Sequence, residues 1–298
     1  MMEEPCWSPA RRTVGRAGGA EVEGTPMVSK GEPDPRDEVT ADEVAAELAR
    51  IAGEVEDRDE DPRGPLARRM GTLVVKLGGP LGRGGRRLGA GSRTGLRVLT
   101  DRLLDAAPRI PVRDLATLRA QHPGAATPEE LADLLTTGSV RASTAVGASA
   151  GAVAMMPVPL AMPVELASEL LASAAIELKL IAELYAVYGQ VPPGTARQRS
   201  YAYLAVWSQG RALDLTRPGA LLALNRGAAL RRQVSKRLTR AGLRKLPTLA
   251  PLMAGALLGA RINRTDTLRL AVTVRMELRE RRPADLGYWD AAEARPER

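Results

Sequence analysis

Phenylalanine is absent from the 298 residues, and the aromatic complement is three Trp and five Tyr. A core without phenylalanine is filled by Ala, Leu and Val. Small aliphatics let helices approach closely and favour a bundle over an aromatic-rich sandwich. Cysteine occurs once, as Cys6, so no disulfide can close within the chain, which fits a reducing compartment. Histidine also occurs once, as His122, which excludes zinc sites of the usual Cys/His kind. A Ser/His/Asp or Cys/His centre would have to use His122. That residue sits in AQHPG, a helix-end setting in which the dipole favours a cation, and no nucleophile elbow surrounds it. No catalytic residue, metal ligand or cofactor is assigned, and the reading is of a non-enzymatic protein. The opening MMEEPCWSPARR has no apolar h-region, so a secretory signal is not expected and any membrane would be met from the cytoplasmic side.

A phosphate loop is missing as well. Residues 63–100 carry nine Lys/Arg, ten Gly and no acid, but LVVKLGGPLGRGGRRLGAG lacks the G-x-x-x-x-G-K-[ST] order. The stretch 63–91 reads as a flexible basic linker after a short apolar helix, with an anion-binding nest as the alternative. No stretch alternates with the period of a strand.

What the chain does have is a charge split. Residues 1–62 hold 7 Lys/Arg against 17 Asp/Glu, and the remainder holds 36 against 18. Residues 1–62 read as a disordered acidic tail with one short helix, marked by Thr40, Glu43, Val44, Leu48, Ile51 and Val55. Residues 92–283 read as a helical domain and 284–298 as a disordered tail. Folding of the acidic tail over the basic body would weaken anion binding by the latter.

Two uncharged runs stand out. Residues 142–164, ASTAVGASAGAVAMMPVPLAMPV, are long enough to cross a bilayer, but Pro157, Pro159 and Pro163 divide them. Residues 246–260 are shorter than a span. Gly147 and Gly151 are four apart, as are Gly255, Gly259 and Asn263, so each set lies on one helix face and permits close backbone approach. Two readings stand: apolar hairpins entering or lying on a membrane, and close packing inside an Ala-rich bundle. Between the runs, Thr127-Pro128-Glu129-Glu130 starts a helix. A long helix over about 163–188 carries Glu165, Glu169, Lys179 and Glu183 on one stripe, expected to be a solvated face rather than an acid/base pair or metal site.

Residues 217–264 hold eleven Lys/Arg and no acid. On the helix within them, Leu230, Val234, Leu238 and Ala241 form an apolar stripe opposite Arg226, Arg232, Lys236, Arg237, Arg240 and Arg244. Such a helix suits anionic lipid headgroups. Nucleic acid is disfavoured, because no aromatics interleave with the arginines. The fold class expected is all-α: a bundle with two Gly-rich apolar helical segments behind an acidic tail. Its function would be that of a membrane-associated protein of the cytoplasmic face, or alternatively a soluble helical scaffold or a nucleic-acid-associated protein.

Two blocks in this order, TAVGASAGAVAMMPVPLAMPVELASELLASAAIELKLIAELYAVYG and VSKRLTRAGLRKLPTLAPLMAGALLGARIN, resemble the EcsC family over roughly residues 139–275. The positions that carry the resemblance are Gly147, Gly151, Pro159, Tyr188, Gly189, Pro247, Gly255, Gly259 and Asn263. The resemblance implies a membrane context, with a transporter or other membrane protein as a partner, and no catalytic residues.

Overall fold

The computed structural model describes residues 35–54, 63–84, 93–153, 162–215, 227–245, 254–283 and 285–293. Proline is accommodated in the first helical turn, where its missing N–H has no partner to lose. The first helix accordingly opens on a proline, α1 at Pro35–Gly53. It is followed by α2 (Arg63–Gly84) and α3 (Arg93–Ala106), which runs into a 3-10 turn over Ala107–Arg109. Then come α4 (Leu115–Gln121), α5 (Pro128–Val153), α6 (Met162–Val187), α7 (Ala196–Gln209), α8 (Gly227–Lys245), α9 (Ala254–Arg279) and α10 (Tyr288–Glu293). All of these helices belong to one compact unit, Pro35–Arg298.

The caps explain several boundaries. Thr127 accepts from the Glu130 amide at 3.2 Å, and the Glu130 carboxylate accepts from the Ala126 amide at 2.8 Å, which fixes the start of α5. Thr195 and Gln198 form a capping box at α7, and Gly210, with φ of 70°, closes that helix in the left-handed region. His122 is the C-cap of α4 and is buried.

The axis of the bundle is α6. Every residue from Glu165 to Tyr188 is buried, and the helix is packed against α1, α2, α3, α4, α5, α7, α8 and α9. The most extensively packed helix pair among the described residues is α5 with α9. They run antiparallel, with Gly147 against Gly259 at one end and Glu129 bonded to Arg275 and Arg279 at the other.

The all-α class holds, but the two Gly-rich apolar segments are not separate elements. Residues 142–153 are the second half of α5, whose first turn is acidic, and 254–263 are the first third of α9, which carries charge to its end. Among the described residues no helix is long and apolar enough to cross a membrane. Gly147 and Gly259 face each other across these two helices, so the described parts of the uncharged runs mark a packing seam. Residues 246–253 lie outside the described residues, and α9 continues unbroken past the end of the uncharged run through residues 261–264.

The basic linker also proves to be helical over its first part. Leu66, Met70, Leu73 and Leu77 recur at helical spacing along α2 and are buried. Burial of that stripe outweighs the helix-breaking tendency of its glycines, about 1 kcal/mol each. Nor is α1 part of a detached tail. Val44, Leu48 and Ile51 lie in the common core, and buried Glu47 faces Arg50 at 2.7 Å, Arg69 at 3.7 Å and Lys76 at 3.9 Å. The fold thus begins by Pro35 rather than near residue 92. Residues 1–34 and 55–62, the rest of the expected tail, lie outside the described residues.

Candidate interaction surface

The polar residues of α6 settle which faces of the neighbouring helices point inward. Glu165, Glu169, Ser173 and Glu177 are four apart and buried together, which corrects the expectation of a solvated stripe. Three buried carboxylates are matched by cations from other elements. Lys245 donates to Glu169 at 2.8 Å. Arg113 donates to both oxygens of Glu183 at 2.8 Å, with Lys179 at 2.9 Å from the same carboxylate. Glu177 accepts from Trp207 Nε1 at 2.7 Å, from Arg237 at 3.1 Å and from Thr267 at 3.3 Å. A buried charge without such partners is strongly destabilising. Tyr185 is held similarly: its hydroxyl donates to the Leu213 carbonyl at 2.7 Å and accepts from the Leu213 amide at 2.9 Å, and burial pushes its pKa up to about 12.

Glu165 is the exception. Neither of its oxygens has a hydrogen-bond partner, and burial pushes its pKa up. At the far end of α5, Glu129 shows the opposite behaviour. Hydrogen bonds from Arg279 outweigh its burial, and with those from Arg275 and Tyr188 they hold its pKa at about 2.

The Glu177 group continues into the α5–α9 seam. Thr267 and Ser143 share a hydrogen bond at 2.8 Å, and Asn263 donates to the Ser143 carbonyl at 3.1 Å. One turn along, a Cβ added to Gly147 would lie 2.5 Å from the Gly259 carbonyl oxygen, and one added to Gly259 would lie 2.6 Å from that of Gly147. Gly147, Gly259 and Asn263 are therefore brought together. Gly151 lies in the last turn of α5 and Gly255 in the first turn of α9. Pro157 and Pro159 lie outside the described residues, as does Arg226.

The remaining basic residues of α8 divide between two roles. Arg237 points inward: its guanidinium stacks over Trp207 at 4.5 Å and donates to the Trp207 carbonyl. Arg244 pairs with Asp266 of α9 at 2.9 Å. These two are tied into the fold. Arg232, Lys236 and Arg240 are exposed, four apart, and have no ion-pair partner among the described residues. A sequence cannot separate the two sets, because the inward cations are identified only by carboxylates and indoles from other helices.

The outward side of α9 holds the feature that sequence reasoning missed. Leu257, Leu258, Leu268, Val272 and Met276 are each between 40 and 77 % exposed, and they make up half of the ten exposed large apolar side chains found among the described residues. At about 100° per residue they fall within an arc of about 100°. Arg261, Arg264 and Arg269, exposed or partly so around that arc, have no ion-pair partner among the described residues. The signal was legible as spacing, Leu257 to Leu268 to Val272 to Met276. It was hidden because Leu270, Ala271, Val274 and Leu278 give the same helix an apolar inner face as well.

Elsewhere, an open groove of about 650 Å³ between α1, α2 and the 3-10 turn is lined in part by Arg50, Arg69 and Arg109. Each of these is already paired, Arg109 with Asp42 at 2.5 Å and Arg69 with Glu54. Among the described residues no group of three His, Cys, Asp or Glu side chains is arranged to hold a metal ion. No protein-family model matches the chain, and comparison with curated proteins and with solved structures likewise finds no match.

Proposed function

We propose that this protein is a non-enzymatic helical scaffold that recruits an anionic partner through the outward sides of α8 and α9. The observation that carries the proposal is the concentration of exposed apolar side chains on one helix, set among arginines that no carboxylate among the described residues neutralises. Apolar exposure concentrated on one face of a helix is a mark of interaction sites, whereas singly scattered residues are not. The polar ties of α6 to Arg237 and Lys245 of α8, and to Thr267 of α9, hold the two helices in place beneath that surface. The resemblance to the EcsC family goes with this proposal and rests on the order of its two sequence blocks.

The test is retention on immobilised heparin, a polyanion, compared with that of two charge-reversed variants, R232E/K236E/R240E and R261E/R264E/R269E. Each should elute at markedly lower salt, with an unchanged melting temperature because all six positions face solvent. Unchanged elution of both variants would refute the assignment of the surface.

A second reading, peripheral contact with anionic headgroups on the cytoplasmic face of a membrane, draws on the row Arg232, Lys236 and Arg240. Lysines and arginines near such a surface contribute about 1 kcal/mol each. It requires salt-sensitive co-sedimentation with anionic vesicles, lost in the first of the two variants.

A further inference from the structure

Resting on that reading of the surface, we infer that the occupant of the outward face of α9 is an acidic amphipathic helix of a partner protein, laid along α9 with its acid-rich end over Arg261 and Arg264. The face is one helix wide. From Leu257 to Met276 it is about 28 Å long, the length of a partner helix of about 19 residues. Leu268, Val272 and Met276 repeat at four-residue steps, the ridge that another helix packs against.

Charge selects the partner. Arg264 and Arg269 flank the apolar arc, each about 20° beyond its edge, and Arg261 lies near its middle. The arc itself holds no acid, since the Asp266 carboxylate is turned to Arg244 and Glu277 to Arg281. A second copy of this chain would set these arginines against one another, and like charges across an interface disfavour the pairing. A partner with glutamates or aspartates beside its apolar row would neutralise them.

The ends of the face set the direction. At the Met276 end, Arg275 is already bound to Asp133 at 2.5 Å, and Arg279 to Glu129. Free guanidinium groups are therefore concentrated towards Leu257, and the acids of the partner belong there.

The same details weigh against a bilayer as the occupant. In a bilayer, Arg261 would be at the deepest point of the inserted arc, where a charge is expensive. A helix bearing its own carboxylates instead offers Arg261 a partner.

The experiment is a display selection on the full-length protein from a library of helical peptides of about 20 residues, with affinities of the enriched peptides measured for wild type, V272E and R261E/R264E. Enrichment of acidic peptides with apolar residues at i, i+3 or i+4, and i+7 is expected. Their binding should weaken about tenfold or more in each variant, with melting temperatures unchanged. No enrichment, enrichment of peptides without acids, or equal affinity for wild type and variants would overturn the inference. So would binding of phosphatidylglycerol vesicles that V272E abolishes when no peptide is enriched, since that result makes a lipid surface the occupant. Heparin retention that drops on charge reversal while no acidic helix is selected sinks this inference alone and leaves the surface assignment standing.

Discussion

Replacing Gly147 with Ala sets two physical effects against each other, and the structure decides the sign. Helix propensity favours alanine over glycine by about 1 kcal/mol, so a glycine in an open helix is improved by the change. At Gly147 the new Cβ would meet the Gly259 carbonyl oxygen at 2.5 Å and its carbon at 2.6 Å. Those atoms are backbone and cannot rotate away. Restoring an ordinary contact moves α5 and α9 apart by about 1 Å, and overpacking of this kind costs about 1–3 kcal/mol. The same movement stretches the Asn263 bond to the Ser143 carbonyl and the Ser143–Thr267 bond, each worth about 1 kcal/mol. The net expectation is destabilisation by about 2–4 kcal/mol, a fall in melting temperature of roughly 4–16 °C at the 2–4 °C per kcal/mol of a domain this size. Gly71 is the control. It lies in α2, and a Cβ there would meet nothing within 4 Å. Gly71→Ala should raise the melting temperature slightly. The assay is thermal unfolding of both variants by circular dichroism. If Gly147→Ala is as stable as wild type or more so, the seam is looser than described and the argument for it fails.

Three further outcomes follow from the carboxylates of α5 and α6. Glu177→Ala should destabilise by about 3–5 kcal/mol, because it strands the Trp207 N–H and the Arg237 guanidinium inside the bundle, and denaturant unfolding with an unshifted midpoint would contradict this. Glu129 has a folded pKa depressed to about 2, so its contribution to stability is full above the unfolded value near 4.5 and is lost as pH falls towards 2; E129Q should flatten that part of an acid unfolding curve, and an unaltered curve would show that the arginines do not act on it. Glu165 has its pKa raised by burial, so the sign reverses and its ionisation weakens the fold as pH rises above the ordinary carboxylate range. E165Q should therefore raise the melting temperature at pH 8 relative to wild type and leave it nearly unchanged at pH 4, and equal shifts at both pH values would refute the assignment.

The helical class was readable from the chain because each device that starts or stops a helix is local. Thr127-Pro128-Glu129-Glu130, Thr195 with Gln198, and Gly210 all act within four residues. The stripe Val44, Leu48, Ile51 is likewise a property of one segment. What could not be read is which segments those stripes meet. The glutamates of α6 looked like a wet face because glutamate is usually solvated, and their partners lie far away in sequence. Arg113 is 70 residues before Glu183, Arg237 is 60 after Glu177, and Lys245 is 76 after Glu169. The uncharged run at 142–153 was ambiguous for a related reason. A helix buried on small residues against another helix and a helix buried in lipid carry the same composition, and only the position of Gly259 distinguishes them. The interaction surface needed the opposite information, namely which apolar residues remain uncovered once everything else has packed.

The order in which the chain is made gives the burial of α6 a further meaning. The partners that complete its environment, Arg237 and Lys245 on α8 and Thr267 on α9, are encoded after residue 230. A growing chain that has reached α7 already contains Glu169 and Glu177 but not the cations that match them, and it carries the Gly147 face without the helix that covers it. Such a chain has a long apolar helix with uncompensated charges, a composition that invites wrong pairings. The bundle can close only once α8 and α9 have been made, so a stop or frameshift anywhere before Ala254 should yield a chain that is cleared or aggregates rather than one that is merely shortened.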